Sequence, residues 1–117
     1  MNGESYAIKK LSKDFLQRTN KVNTVFRERD ILVKNTTCPF LPKIYHTFAD
    51  DEYLYIVMEY ISQGTLSEKI MVVRDSGFTK EQAQFYAAQL VLTLEYLQSV
   101  NVAHRDLKPG NIMLDKD

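Results

Sequence analysis

The sequence predicts an α+β fold, on three observations. Three short runs rich in β-branched and aromatic residues, at 5–11, 44–48 and 53–59, have the composition of strands. Between the first and second run, apolar residues recur at spacings of three, four and seven, the mark of an amphipathic helix. The second half holds a long apolar-rich stretch opened by a helix-capping pattern and followed by a loop crowded with polar side chains. At 117 residues there is room for one modest domain, which buries about two-thirds of the surface of its unfolded chain. Lys plus Arg and Asp plus Glu both number 15, so the formal charge is zero and neither nucleic acid nor an anionic membrane is expected as a partner.

Taken in order, 5–11 reads as a strand entered from the turn-prone Asn2-Gly3, with its hairpin partner lying outside the chain. Lys9 and Lys10 fall on opposite faces of that strand, Lys10 toward solvent; a wet edge strand is the alternative reading for Lys9. Over 15–34 one helix is expected, with Val22, Val25, Phe26 and Leu32 as its apolar positions. Glu28, three residues after Val25 and four before Leu32, is expected inward or along the boundary of that face, where it needs a cation. A surface pair within the helix is the alternative. The stretch Thr36-Thr37-Cys38-Pro39 ends the helix. Then 44–48 and 53–59 form a hairpin about the polar turn 49–52. With the opening strand this gives three antiparallel strands and one helix.

Ser62-Gln63-Gly64 is a loop, 66–73 a short helix closed by Asp75-Ser76-Gly77, and Thr79 with Gln82 forms a capping box for a helix running to about Ser99. Ala83, Tyr86, Ala87, Leu90, Leu94 and Leu97 make one face of it, but Phe85, Ala88, Leu92 and Tyr96 make the others nearly as apolar. Such a helix belongs in the middle of something larger, so a partner covering 79–99 is expected. The single cysteine, Cys38, excludes an intrachain disulfide, fits a reducing compartment and reads as a small apolar filler. Charges in the first ten residues leave no secretory signal, and the longest uncharged stretch, 82–94, is too short to span a bilayer. A soluble intracellular protein, cytoplasmic or nuclear, is the expectation.

His104-Arg105-Asp106-Leu107-Lys108-Pro109-Gly110-Asn111 puts four chemically distinct polar groups into one short loop. Apolar strands are expected on both sides, through Val100, Val102 and Ala103 before it and Ile112, Met113 and Leu114 after it. Asp106 can accept a proton from a hydroxyl, Lys108 can neutralise a phosphate, and Asn111 offers an amide oxygen suited to Mg²⁺. Pro109 fixes the backbone between the cation and the amide, and Gly110 permits a sharp bend there. Together these suit phosphoryl transfer, against the alternative of ordinary turn chemistry.

The eight residues resemble the protein-kinase catalytic loop, His-Arg-Asp-Leu-x-x-x-Asn, at every fixed position. Tyr6-Ala7-Ile8-Lys9 resembles the kinase strand motif Val-Ala-Ile-Lys, and the spacing from Lys9 to Glu28 matches the lysine–glutamate pair of that family. Met58-Glu59-Tyr60-Ile61 looks like the gatekeeper and hinge. Arg-Asp-Leu-Lys-Pro is the serine/threonine-kinase pattern. The likeness covers the whole chain and is greatest to the group of the cyclic-nucleotide-dependent kinases, through Phe40-Leu41, Val57-Met58-Glu59-Tyr60 and Gln84-Phe85-Tyr86-Ala87-Ala88-Gln89-Leu90-Val91-Leu92-Thr93.

The resemblance implies a partial protein-kinase fold, with part of the small lobe at 1–58, the hinge at 59–63 and the start of the large lobe at 64–117. It implies ATP and Mg²⁺ as cofactors and Ser or Thr hydroxyls of proteins as acceptors. Asp106 would be the catalytic base, Lys108 would steady the γ-phosphate, and Asn111 would hold a Mg²⁺. Lys9 would hold the nucleotide's α and β phosphates, and Glu28 would pair with Lys9 in the nucleotide site. Ala7, Ile61 and Met113 would sandwich adenine, Met58 would be the gatekeeper, and backbone groups of Glu59 and Ile61 would hydrogen-bond the base. Leu32, Ile44 and His104 would join a hydrophobic stack linking the lobes, and Arg105 would bind a phosphorylated activation loop. Thr65 and Gly110 stand where the cyclic-AMP-dependent kinase has acidic residues that read basic substrates.

The 117 residues carry neither a glycine-rich phosphate loop nor an Asp-Phe-Gly segment, so they are expected to be inactive alone. The alternative reading is a non-catalytic regulatory or interaction fragment derived from a kinase. An in-frame Asp-Phe-Gly encoded beyond Asp117 would decide for the kinase.

Overall fold

A computed structural model describes residues 3–116, in two compact units that divide between Tyr60 and Ile61. The first unit is a three-stranded antiparallel sheet with two helices: β1 Tyr6–Ser12, α1 Lys13–Arg18, α2 Val22–Lys34, β2 Ile44–Ala49 and β3 Tyr53–Glu59. The strand order is β1-β3-β2, so the hairpin places β3 in the centre. Lys9 lies opposite Ile56, and Ala7 opposite Met58. A register shift between Ile44 and His46 bends the start of β2. The small core holds Leu16 from α1, Ile56 from β3 and Cys38, which at 1% exposure is the filler its chemistry suggested.

The single helix expected over 15–34 is two. Ser12 caps α1 by accepting the N–H of Phe15 (3.3 Å), and α1 ends where the Thr19 hydroxyl folds back onto the carbonyl of Phe15 (2.7 Å). Asn20 then turns left-handed, at φ 54°, a region that asparagine tolerates better than most residues. Side chains that bond their own backbone compete with the helix, and Thr19-Asn20 is where they win. At the other end α2 stops at Lys34, before the predicted breaker, because Asn35 closes its last turn onto Ile31 and Leu32.

The β2–β3 turn is organised by Asp50. Its carboxylate accepts the N–H groups of Glu52 (2.9 Å) and Tyr53 (2.6 Å) and the hydroxyl of Tyr55 (2.8 Å). The Tyr55 hydroxyl, followed by the Tyr53 amide, holds the Asp50 carboxyl below its ordinary range, and the same contact pushes the Tyr55 phenol up.

The second unit comprises α3 Leu66–Val72, α4 Lys80–Ser99 and a 3-10 turn, Pro109–Asn111. Both helices open on a full capping box. The Thr79–Gln82 box is the expected one; Thr65–Glu68 is a second, spelled Thr-Leu-Ser-Glu, that the sequence reading overlooked. Gly64, at φ 73°, precedes it, and a β-carbon there would be strained and would lie 2.6 Å from the Glu68 carboxylate, pushing that side chain out of its cap.

Among the described residues no regular strand flanks the loop. Val100 closes α4, the Val102 N–H bonds back to the Leu97 carbonyl (2.8 Å), and Met113 makes only an isolated bridge to Thr65. The run after the loop is nonetheless paired with the segment before α3, with Leu114 N–H on the Gly64 carbonyl (2.8 Å), Gln63 N–H on the Leu114 carbonyl (3.0 Å) and Leu66 N–H on the Ile112 carbonyl (2.8 Å), a pairing too short to make a strand. The covered face of α4 is also rotated from the one expected. Tyr86, Gln89, Leu90, Thr93, Tyr96 and Leu97 are its less exposed positions, with Leu97 at 3%, whereas Ala83, Ala87 and Leu94 are exposed. Phe85, Val91, Leu92 and Leu94 are exposed as well, on more than one side of the helix.

Candidate active site

In the first unit, strand alternation puts Ala7 and Lys9 on one face of β1 and Ile8 and Lys10 on the other. Lys9 Nζ reaches Glu28 Oε1 on α2 at 2.6 Å, a pairing across 19 residues. The two side chains are 37% and 47% exposed, so Glu28 lies along the boundary of its helix rather than inside it. The solvent-side neighbour Lys10 places its ammonium 3.8 Å above the Tyr53 ring. Met58 and Glu59 end β3 beside Ala7 and Tyr6. The Glu59 N–H is committed to the Lys43 carbonyl (2.9 Å), so of the expected base-binding groups this one is taken.

In the second unit the polar loop folds around Asp106. Pro109, whose fixed φ suits the start of a tight turn, opens the 3-10 turn, and Asn111 ends it with its N–H on the Lys108 carbonyl (2.9 Å). The Asn111 amide nitrogen then donates twice to Asp106, to the carbonyl at 2.8 Å and to carboxylate Oδ2 at 2.9 Å. Lys108 Nζ meets the same Oδ2 at 3.0 Å. These contacts, Lys108 first and Asn111 second, hold the Asp106 carboxyl below its ordinary range. At neutral pH it is an ionised, acceptor-only group. The sharp bend expected at Gly110 is the 3-10 turn that it centres, made without a left-handed backbone, since a β-carbon at Gly110 meets nothing; a left-handed residue lies earlier in the loop, at Arg105 with φ 66°. Ile61 is half-buried and Met113 exposed.

Among the described residues no three His, Cys, Asp or Glu side chains gather as a metal site. The donor chemistry nevertheless fits a hard cation shared with phosphate oxygens. With its nitrogen committed to Asp106, Asn111 has its amide oxygen as the remaining acceptor, and Mg²⁺ commonly takes one or two protein oxygens beside those of phosphate. Thus Lys9 and Glu28 come together in one unit, and Asp106, Lys108 and Asn111 in the other.

The family model for the protein kinase domain matches residues 1–117. This chain belongs to the protein kinase domain family. Among curated relatives, it is 43% identical to human 3-phosphoinositide-dependent protein kinase 1 over 112 residues, covering 96% of this kinase chain and 20% of the relative. It is 37% identical to Serine/threonine-protein kinase sgk-1 of Caenorhabditis elegans over 110 residues (94% and 23%) and 36% identical to Serine/threonine-protein kinase Sgk3 of Rattus norvegicus over 115 residues (98% and 23%). The kinase chain therefore spans about a quarter or less of the length of these relatives. Its α+β fold is that of a partial protein kinase domain.

Proposed function

We propose that this chain is the part of a serine/threonine protein kinase that carries the phosphate-anchoring lysine and the catalytic loop, and that the whole enzyme transfers phosphate from ATP to Ser or Thr hydroxyls of proteins. The observation that carries this reading is the ionised Asp106 carboxylate held by Lys108 and Asn111 within one loop. Asp106 accepts the hydrogen bond of the acceptor hydroxyl, aligns its oxygen and takes its proton as the new P–O bond forms. Lys108 is near enough to serve both that carboxylate and the phosphate in transit. Asn111 presents its amide oxygen to Mg²⁺, which when bound neutralises phosphate charge.

Lys9, steadied by Glu28, anchors phosphate oxygens. Ala7, Ile61 and Met113 contact adenine, Met58 is the gatekeeper, and Ile61 with the carbonyl of Glu59 meets the edge of the base. The small-lobe part is 1–58, the hinge 59–63 and the start of the large lobe 64–117. Within the family, kinship to the group of the cyclic-nucleotide-dependent kinases is supported by Val57-Met58-Glu59-Tyr60 and the 84–93 segment. Dependence on ATP and a buried, unpaired Cys38 favour an intracellular setting, cytoplasmic or nuclear.

The test is phosphate transfer by a kinase domain that contains these residues, followed by identification of the labelled amino acid. Label on Ser or Thr is expected; label on Tyr alone, or none, overturns the assignment. The 117 residues by themselves are expected to give no transfer. They should also show no thermal shift with millimolar Mg-ATP, where occupancy at a hundred times the dissociation constant would add about 2.7 kcal/mol.

A further inference from the structure

Arg105 is the one residue of the catalytic loop with a left-handed backbone, and it is not glycine. Its β-carbon crowds the following carbonyl in that region, so the conformation persists only where neighbouring groups hold it. The group that spans it is visible. The N–H of Asp106 donates to Nδ1 of His104 at 3.3 Å, bridging Arg105 over the same two-residue reach by which an asparagine or aspartate side chain closes a turn on its own backbone. On its far side, Asp106 is held through its carbonyl and carboxylate by Asn111. Asp106 is thereby fixed on both sides of its α-carbon.

We infer that His104 is a positioning residue for Asp106: its neutral imidazole, protonated on Nε2 and accepting at Nδ1, locks the left-handed turn at Arg105 and so sets the direction in which the Asp106 carboxylate leaves the backbone. An accepting Nδ1 has no proton, which fixes the tautomer. This role is separate from the packing role implied by family resemblance, and within its own unit His104 is exposed. The two roles also predict opposite substitutions. Packing is served by leucine, which leaves the Asp106 N–H without its acceptor. The turn is served by asparagine, whose Oδ1 sits the same number of bonds from Cβ as Nδ1 does.

The inference deepens the proposed phosphotransfer reading and rests on it for the catalytic meaning of Asp106, but the test reads the turn itself. Long-range proton–nitrogen NMR of the 117-residue chain, in mildly alkaline buffer where imidazole is neutral, should find His104 with its proton on Nε2. Amide exchange of Asp106 should be slowed, and the Arg105 three-bond coupling should report positive φ. His104→Asn should keep both backbone signatures, whereas His104→Leu should speed Asp106 exchange by about three- to tenfold and lose the positive φ. A proton on Nδ1, or a leucine variant with the exchange and coupling of the parent, overturns the inference. If the leucine variant does not fold, the parent's tautomer and the asparagine variant still decide. An Asp106→Asn kinase domain with unchanged turnover would remove the base assignment and leave this turn standing, so the two failures are separable.

Discussion

Replacing Lys9 by Met and Glu28 by Gln, singly and together, should expose a small, salt-sensitive coupling between β1 and α2. The charged atoms are 2.6 Å apart, but the side chains are 37% and 47% exposed. Two unit charges about 4 Å apart attract by about 1 kcal/mol in bulk water and by about 4 kcal/mol at an effective dielectric of 20. Exposure above a third places this pair near the aqueous limit, and immobilising two long side chains removes part of the gain. The coupling expected from a double-mutant cycle is therefore about 0.5–1 kcal/mol. Urea unfolding at low salt should give that value. At about 1 M salt, where the screening length shrinks to roughly 3 Å, most of it should vanish. A coupling of zero would mean that the pair does not form in solution. One above about 3 kcal/mol would mean that it is buried from water, contradicting the exposed geometry.

The Asp50–Tyr55 bond predicts two pH limbs. The Asp50 pKa is lowered in the folded chain, so its stabilisation is complete above the ordinary carboxylate pKa and is lost as pH falls through the lowered value. The Tyr55 pKa is raised, so its share is complete below its ordinary value of 10.0 and is lost as pH rises through the raised one. Tyr55→Phe should weaken both limbs in unfolding midpoints measured against pH; unchanged limbs would contradict the assignment. Thr79→Ala should destabilise the second unit by about 1 kcal/mol in denaturant unfolding through loss of the α4 cap, and Thr79→Ser by much less; equal effects would count against the capping box. Phe85, Val91, Leu92 and Leu94 should make the isolated chain bind a hydrophobic dye and self-associate at micromolar concentration, and Leu92→Glu should reduce both. A clean monomer that binds no dye would show that these residues are covered.

What the sequence made legible follows from the range of the forces involved. The three strands and the Thr79–Gln82 cap are local pattern, and they formed where the pattern put them. The Lys9–Glu28 contact was legible through family spacing, because strand alternation and helix period fix both side chains once the elements exist. The break at Thr19-Asn20 was missed because apolar periodicity carries across a turn whose cause is hydroxyl-to-backbone bonding. Strands beside the loop were over-read: the run after it pairs with 63–66 through only a single bridge, because α3 begins at Leu66 and takes the partner segment out of extended geometry. The turn at Gly110 was legible from Pro109 and Gly110, but the left-handed residue at Arg105 was not, because nothing in an arginine's propensity announces it.

The central claim is that Asp106 acts on the acceptor hydroxyl. Its most direct test is the turnover of a kinase domain containing these residues, with and without Asp106→Asn. Asparagine keeps the size of the side chain but cannot take the proton. The account predicts a fall in kcat of about 10²- to 10⁴-fold with the nucleotide KM changed by less than about twofold. A kcat within about threefold of the parent, or a loss that appears wholly in the nucleotide KM, would contradict it.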